Sequence, residues 1–154
     1  VLFRSQDAIL LREALSELTD VRSVTGVSRD YYYTLHADGT VSRIALLDHN
    51  FLDGEVSSID IQKLPLTDVV SMGSPGSFSA SDQAAFFLCA DGSLYSSFDL
   101  AQPILTGVRD FSYDYGYGEL AVLTESCSLD CYEVSAMFEI SISFVSGTDL
   151  SAYY

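Results

Sequence analysis

Two acidic residues stand beside glycine in almost identical surroundings. The triplet Ala-Asp-Gly occurs at 37–39 and again at 90–92, each time directly after a run rich in apolar residues. A calcium loop needs several oxygen ligands at alternating positions, whereas Asp38 and Asp91 each stand alone. Asp-Gly between two strand-like runs is also a strong signal for a hairpin turn with positive φ at both turn residues. The sequence therefore predicts two repeated turns rather than two metal loops.

One other segment comes closer to a calcium loop, because it contains the oxygen-bearing side chains of Asp48, Asn50, Asp53 and Glu55. Counted from Asp48, the sixth position is Asp53, where the helix-loop-helix calcium motif needs glycine, and the twelfth is Ile59, where it needs glutamate. We expect a solvated hairpin turn here. Zinc has no better candidate, since the two histidines and three cysteines lack zinc-site spacing. No metal or other cofactor is expected.

Residue types used in catalysis are present, but they form no pattern that identifies a reaction. Covalent catalysis needs a serine or cysteine beside a histidine in space, and the chain has neither a nucleophile-elbow sequence nor a phosphate-binding loop. His36 corresponds to Cys89 and Thr124 in the repeats described below, which favours a plain surface or packing position. Scattered carboxylates identify a glycosidase only through their separation in space. The sequence thus predicts that the protein is not an enzyme and has no catalytic residues.

The charge balance excludes some classes of partner. The chain has 22 acidic and seven basic residues and a formal net charge of −15. Nucleic acids and anionic lipid surfaces are bound by clustered lysine and arginine, but Lys63 is the only lysine and the arginines are scattered. We expect no nucleic-acid partner, and a protein partner with a basic surface. No apolar run is long enough to span a bilayer as a helix, so no membrane insertion is expected.

The cysteines are expected to be unpaired. If Cys127 and Cys131 lie on one extended strand, their Cα atoms are about 13 Å apart. A disulfide needs Cα atoms within about 7 Å of each other. We therefore interpret these two residues and Cys89 as small apolar side chains.

A repeat organises the whole chain. The sequences LTDVRSV, LTDVVSM and LTGVRDF begin at residues 18, 66 and 105, which gives spacings of 48 and 39 residues. Each is followed by a polar stretch and then an apolar strand, in which Leu35, Leu88 and Leu123 take the same place. Both ends of the chain match the interior of a unit, which indicates a fragment of a longer array. The predicted units are approximately 18–65, 66–104 and 105–139, with partial units at 1–17 and 140–154.

Each unit has the length and pattern for about four short strands. In the second unit a weak first strand at 69–72 precedes an apolar strand at 84–89, whose two apolar faces indicate burial on both sides. The third strand follows the turn, and the fourth comes from segments such as 57–64 or 103–107. Units of this size and strand number are typical of propeller blades, which need neighbours to cover their apolar faces.

One segment departs from the strand pattern. Residues 6–20 place Ala8, Leu11, Leu15 and Leu18 on one helical face. The sequence therefore predicts an all-β fold of about three consecutive blades of a β-propeller, a fragment or partial propeller, with a short helix near the N-terminus.

The second unit resembles the repeats of the regulator of chromosome condensation (RCC) family. That repeat has a valine-led strand, a glycine-containing loop, an apolar strand ending in leucine, and then Asp-Gly followed by Val-Tyr. The residues that fill these places in order are Val69, Gly73, Leu88, Asp91, Gly92, Leu94 and Tyr95. The family's Trp-Gly after the turn is absent, and the third unit has Glu-Ser-Cys at 125–127 in place of Ala-Asp-Gly. We expect the turn geometry to differ there.

The resemblance implies a disc-shaped β-propeller, commonly of seven blades, that serves mainly as a protein-binding platform. It favours a secreted or bacterial cell-surface location. The family includes a nucleotide-exchange factor for a small GTPase that also binds chromatin. Chromatin binding in the eukaryotic type relies on basic tails, which this acidic chain does not show. Nucleotide-exchange activity is not expected either. We expect a non-catalytic scaffold for protein–protein contacts. A carbohydrate-binding or glycan-hydrolysing propeller is the alternative.

The candidate partner-binding residues lie in the third unit, in the sequence FSYDYGYGE at 111–119. Tyr113, Tyr115 and Tyr117 alternate there with aspartate and glycine. Tyrosine provides a large contact area at low entropic cost, and glycine lets a loop adapt to its partner. In the other interpretation these rings pack against the neighbouring unit.

Overall fold

The fold consists of three antiparallel β-sheets. The computed structural model of the chain describes residues 12–13, 16, 18–27, 30–47, 58–74, 85–114, 118–136 and 140–153. Within these residues the protein is all-β, with eleven strands and one short 3₁₀ turn at Ser151–Tyr153. The expectation of an all-β fold is confirmed.

Each sheet is an up-and-down meander in which strands that follow one another in the chain are neighbours. The first sheet contains β1 (Val21–Gly26), β2 (Tyr31–His36), β3 (Val41–Leu47) and β4 (Ser58–Lys63). The second contains β5 (Val69–Gly73), β6 (Phe86–Cys89) and β7 (Leu94–Ser96). The third contains β8 (Val108–Asp114), β9 (Glu119–Thr124), β10 (Ser128–Ala136) and β11 (Ile140–Asp149).

The outermost strand differs from one sheet to the next. Segment 57–64, one source predicted for a fourth strand, contains β4. Segment 103–107, the other source, contributes only an isolated bridge between Leu105 and Leu94. In the third sheet β11 takes this place, although its residues fall in the predicted partial unit 140–154. Its apolar residues explain the pairing, because Ile142 stands opposite Val134 and Phe144 opposite Tyr132.

Most of the predicted N-terminal helix lies outside the described residues, and no α-helix is among the described elements. Arg12, Glu13 and Ser16 have helical backbone, and the Ser16 hydroxyl donates to the Glu13 carbonyl at 2.6 Å. Leu18 and Thr19 are not helical. The remaining residues from 6 to 17 lie outside the described residues, as does segment 48–57 with its candidate calcium ligands.

The second sheet is covered on both faces. On one face its apolar side chains join those of the first sheet in a cluster of Val27, Tyr33, Leu35, Val41, Leu64, Leu66, Val69, Ala85, Phe87 and Cys89. On the other face they join the third sheet in a cluster of Phe86, Leu88, Leu94, Val108, Leu120 and Val122. All four residues of β6 are buried, as its two apolar faces predict. Each fully buried Leu or Phe side chain contributes about 1.5–3 kcal/mol to folding.

The first sheet also buries side chains on the face that points away from the second sheet. Ile44 and Leu46 form a small cluster there, and Leu18 packs against it together with Tyr32, Ile59 and Ile61. The segment that leads into β1 therefore covers an apolar face that would otherwise be in contact with water. This cluster lies beside a group of polar side chains on the same face, which includes His36.

Candidate functional site

The same hairpin turn occurs once in each sheet. The N–H of Gly39 donates to the His36 carbonyl at 3.0 Å, and that of Gly92 donates to the Cys89 carbonyl at 3.0 Å. Only the last turn residue has positive φ, 79° at Gly39 and 82° at Gly92. The expectation of positive φ at both residues of Asp-Gly is therefore wrong. This is a three-residue loop ending in a left-handed residue, the second common type of hairpin connection.

The aspartates of these turns accept hydrogen bonds from the residue two positions ahead. Asp38 Oδ1 accepts from the Thr40 N–H at 2.9 Å and from the Thr40 hydroxyl at 2.7 Å. Asp91 Oδ1 accepts from the Ser93 N–H at 2.9 Å. The two bonds from Thr40 favour the ionised form and lower the pKa of the Asp38 carboxyl. These carboxylates stabilise the turn itself, and no group of three or more His, Cys, Asp or Glu among the described residues could hold a metal.

The third turn keeps this geometry without glycine or aspartate. The Cys127 N–H donates to the Thr124 carbonyl at 3.1 Å, and Cys127 has a φ of 61°. The Thr124 hydroxyl oxygen accepts from the Ser128 N–H at 3.0 Å and lies 2.8 Å from the Ser126 hydroxyl. The expected difference in turn geometry is therefore wrong, because side-chain hydroxyls support the same backbone path.

The first two turns are also bonded to the first strand of the sheet that follows each of them. The carbonyl of Gly39 accepts from the Val69 N–H at 2.9 Å, and that of Gly92 accepts from the Val108 N–H at 2.9 Å. In the third turn the Cys127 carbonyl accepts from the Leu150 N–H at 2.8 Å. Leu150 follows β11 of the same sheet, so this third bond lies within one sheet. We call the first two bonds the turn-to-sheet joints.

A histidine and a serine meet on the outer face of the first sheet. His36 Nδ1 lies 2.9 Å from the Thr19 carbonyl oxygen, and Nε2 lies 2.9 Å from the Ser42 hydroxyl. A carbonyl can only accept, so Nδ1 carries the proton in the neutral ring and Nε2 accepts from Ser42. Thr34, fully buried, donates from its hydroxyl to the Ser42 carbonyl at 3.4 Å. A shallow cleft of about 250 Å³ is lined by His36, Ser42 and Lys63 together with Leu18, Thr19, Asp20, Asp38 and Thr40.

This His36–Ser42 pair is the one arrangement of catalytic residue types that sequence reasoning missed. The signal was available, because the hairpin turn at 37–39 places residues 36 and 42 on one face of neighbouring strands. The surrounding backbone does not complete a nucleophile site. The nearby N–H groups of Gly39 and Thr40 already donate to the His36 carbonyl and to Asp38, so neither points at a reacting oxyanion.

The second sheet indicates a structural role for His36. There Cys89 takes the place of His36, and its thiol lies 3.6 Å from the Thr67 carbonyl, which corresponds to Thr19. Imidazole and thiol thus donate to the same carbonyl in successive repeats, and each ties the segment before a sheet to the second strand of that sheet. Burial, followed by the charges of Asp91 and Asp68, raises the pKa of the Cys89 thiol.

The candidate tyrosines are described only in part. Tyr113 ends up half-buried on β8, with its ring centroid 5.7 Å from that of Phe86 on the second sheet. The ring of Phe111 also contacts Phe86, edge-on and at a centroid distance of 6.2 Å. Tyr113 therefore contacts the neighbouring sheet, as the packing interpretation requires for this residue. Tyr115 and Tyr117 lie outside the described residues, so their role as partner-binding residues stays a prediction.

The described residues contain no helix with the length and apolar character needed to cross a membrane. All three cysteines have free thiols. No protein-family model matches the chain, and no curated protein matches it either.

Proposed function

We propose that the protein is a non-catalytic scaffold for protein–protein contacts, built from consecutive blades of an RCC-type β-propeller. The observation that carries this proposal is the repetition of the turn-to-sheet joints. Two turns each accept an N–H from the first residue of the next sheet, both at 2.9 Å. Meanders joined in this way at the same point form a stack in which each sheet contacts its neighbours, the arrangement on which repeat proteins depend.

The hydrogen bonds made by polar side chains support the proposed scaffold function. Three polar side chains make hydrogen bonds to backbone groups. The carboxylates of Asp38 and Asp91 accept from backbone N–H groups in their turns, and the imidazole of His36 is bonded to a backbone carbonyl in the segment before β1. Side chains used in this way hold loops in place and leave the loop tips and sheet edges for recognition. A rigid support that carries variable loops is the common design of binding platforms.

The test compares two tyrosine variants. In one, Tyr115→Ala and Tyr117→Ala are combined, and in the other Tyr153→Ala removes a tyrosine that is 83% exposed outside the candidate loop. Proteins crosslinked to the chain in its source cells are purified and titrated against it by calorimetry. We expect saturable binding that weakens at least tenfold in the double variant and is unchanged by Tyr153→Ala.

Three results would overturn this proposal. If no purified protein binds, the scaffold function is wrong. If a glycan array binds the protein and the Tyr115/Tyr117 variant loses that binding, the surface recognises carbohydrate instead. Hydrolysis of a glycan by the purified protein would likewise replace the scaffold by an enzyme.

A further inference from the structure

Strand β11 forms the outer edge of the third sheet and differs from the outer strands of the other two. It spans ten residues and pairs with β10, its only neighbour among the described strands. It contains no Lys, Arg or Pro, and Asp149 at its end is its only charged residue. Phe144 and Val145 at its centre are 61% and 59% exposed. Proteins normally protect an edge strand with charge, proline or short length, because unpaired N–H and C=O groups there recruit other strands.

The other two outer strands have such protection. In the first sheet β4 carries Asp60 and Lys63, and Asp60 lies 3.6 Å from Arg43 of the neighbouring strand. In the second sheet β7 is only three residues long, and chain beyond it bonds to its edge through the bridges Leu94–Leu105 and Ser96–Asp99. Of the strands that end the three meanders, β11 alone is long, uncharged over most of its length and exposed.

The pairing register identifies the backbone groups that face outward. The Val134 N–H donates to the Gly118 carbonyl on the β9 side, so Glu133 and Ser135 direct their backbone groups toward β11. Their partners on β11 are Ser143 and Ser141. Backbone direction alternates along an antiparallel strand as far as Phe144, beside which the register shifts between Cys131 and Tyr132, so the N–H and C=O groups of Ile142 and Phe144 point away from the sheet. These groups are the ones that a further strand would bond.

The third sheet carries mostly negative charge, and Arg109 on β8, the strand farthest from β11, is the one basic residue in its four strands. Residues 110–154 contain eight acidic residues and no Lys, Arg or His. Asp114, Glu119, Glu133 and Ser143 stand opposite one another on successive strands, so three carboxylates form a row that ends at β11. Like charges on directly opposed positions destabilise a sheet. A cationic residue on an added strand, opposite Ser143, would extend this row with the opposite charge.

We propose that β11 binds an extended segment of a protein partner by β-strand addition, and that this segment carries Lys or Arg at alternate positions. Backbone bonds to Ile142 and Phe144 supply the affinity, and the cations beside the carboxylate row supply the specificity. A second copy of the chain fits less well, because it would bring its own acidic sheet against this one. The inference rests on the proposed scaffold function and names the docking strand and the partner class.

The test uses three synthetic ten-residue peptides with the intact protein. The first alternates Lys with Val and Thr, the second replaces each Lys by Glu, and the third keeps every Lys but has Pro at two central positions. Binding is measured by fluorescence anisotropy, and amide hydrogen exchange is followed by NMR. We expect the first peptide to bind at least tenfold more tightly than the other two and to slow exchange at Ile142 and Phe144.

Matched variants separate backbone pairing from charge. Ile142→Pro removes an outward N–H, whereas Ile142→Ala loses the side chain but keeps that N–H, so only the proline variant should lose peptide binding. Ser143→Lys adds a cation at the end of the carboxylate row and should weaken binding at least tenfold. Gln62→Lys adds the same charge to β4, and we expect this variant to bind the first peptide with an affinity within twofold of the unchanged protein.

Three outcomes would overturn the inference. Equal affinity for the proline-containing peptide would mean that charge alone attracts it, and protection elsewhere would place the site on another strand. Absence of binding by the first peptide would also contradict it. Binding of a natural partner through Tyr115 and Tyr117, in an experiment in which none of the peptides binds, would contradict the strand-addition inference but not the scaffold function.

Discussion

Phe86 and Phe87 are adjacent in β6 and pack in opposite directions. The ring of Phe87 meets Tyr33 of the first sheet edge-on, at a centroid distance of 5.2 Å. The ring of Phe86 contacts Phe111 and Tyr113 of the third sheet. Both side chains are fully buried. Two consecutive residues thus join three sheets, because side chains alternate between the faces of a strand.

Replacing each phenylalanine by alanine should weaken the packing of one pair of sheets. Phe86 joins the second sheet to the third, and Phe87 joins the second sheet to the first. We expect Phe86→Ala and Phe87→Ala each to lower the free energy of unfolding by about 3–5 kcal/mol, since each leaves a cavity in a packed core. Hydrogen exchange should rise mainly in β8 and β9 for Phe86→Ala, and mainly in β2 and β3 for Phe87→Ala. Val24→Ala, on an exposed side chain of β1, is the control. Identical exchange patterns in the two phenylalanine variants would contradict the division of the core into two clusters.

The third turn should gain stability from glycine. A residue with a Cβ in the left-handed region costs about 1–2 kcal/mol, and Cys127 has a φ of 61°. We expect Cys127→Gly to raise the free energy of unfolding by about 1 kcal/mol, the greater backbone freedom of glycine in the unfolded chain offsetting part of the gain. Urea denaturation measures the change. A loss of stability would show that the Cys127 side chain contributes more than its backbone conformation costs.

The first turn should respond in the opposite direction. Gly39 has a φ of 79°, and a Cβ there would lie 3.0 Å from the Asp68 Cα in the next sheet. At Gly92 the nearest atom would be the flexible Glu125 carboxylate, also at 3.0 Å. We therefore expect Gly39→Ala to destabilise the protein more than Gly92→Ala in the same urea titration. The reverse order would indicate that the backbone at Asp68 yields more readily than the Glu125 side chain.

Acid should weaken the first turn in a defined direction. The hydrogen bonds from Thr40 lower the pKa of Asp38 in the folded protein. Its stabilising contribution is then complete above the carboxyl's ordinary pKa and is lost as the pH falls through the lowered, folded value. In an NMR titration we expect the Asp38 pKa to rise toward its ordinary value in Thr40→Val, which keeps the N–H donor and removes the hydroxyl. An unchanged pKa in that variant would assign the shift to the backbone bond alone.

The Cys89 thiol should be unreactive in the folded protein. It is 8% exposed, and burial raises its pKa, so the thiolate is scarce at neutral pH. Because the folded pKa is raised, the stability linked to this group is present below the ordinary thiol pKa and is lost as the pH rises through the folded value. We expect iodoacetamide to modify Cys131, which is half-buried, before Cys89. In urea, where both thiols are exposed, the two alkylation rates should be equal, which is the control. Equal alkylation rates of Cys89 and Cys131 in the native protein would contradict the burial of Cys89.

Much of the strand pattern could be predicted from local sequence, because the apolar runs and Asp-Gly turns are short-range signals. The turns at 37–39 and 90–92 join β2 to β3 and β6 to β7, and both faces of β6 are buried as predicted. The contact between His36 and Thr19 could not be predicted, since it joins segments outside any one hairpin. The prediction of a different turn geometry at Cys127 was wrong for a related reason. Hydroxyl groups of Thr124 and Ser126 replace a carboxylate there, and residue-type patterns do not reveal such substitutions.

The turn-to-sheet joints bear on how the chain folds as it leaves the ribosome. The carbonyl of Gly39 becomes available once the first hairpin has formed, and its donor, Val69, is synthesised later. The same order holds for Gly92 with Val108. Each completed hairpin therefore offers the next segment a fixed backbone acceptor, so the protein can be assembled sheet by sheet in the direction of translation. An insertion between the last strand of one sheet and the first strand of the next lengthens a loop without disturbing the meanders on either side.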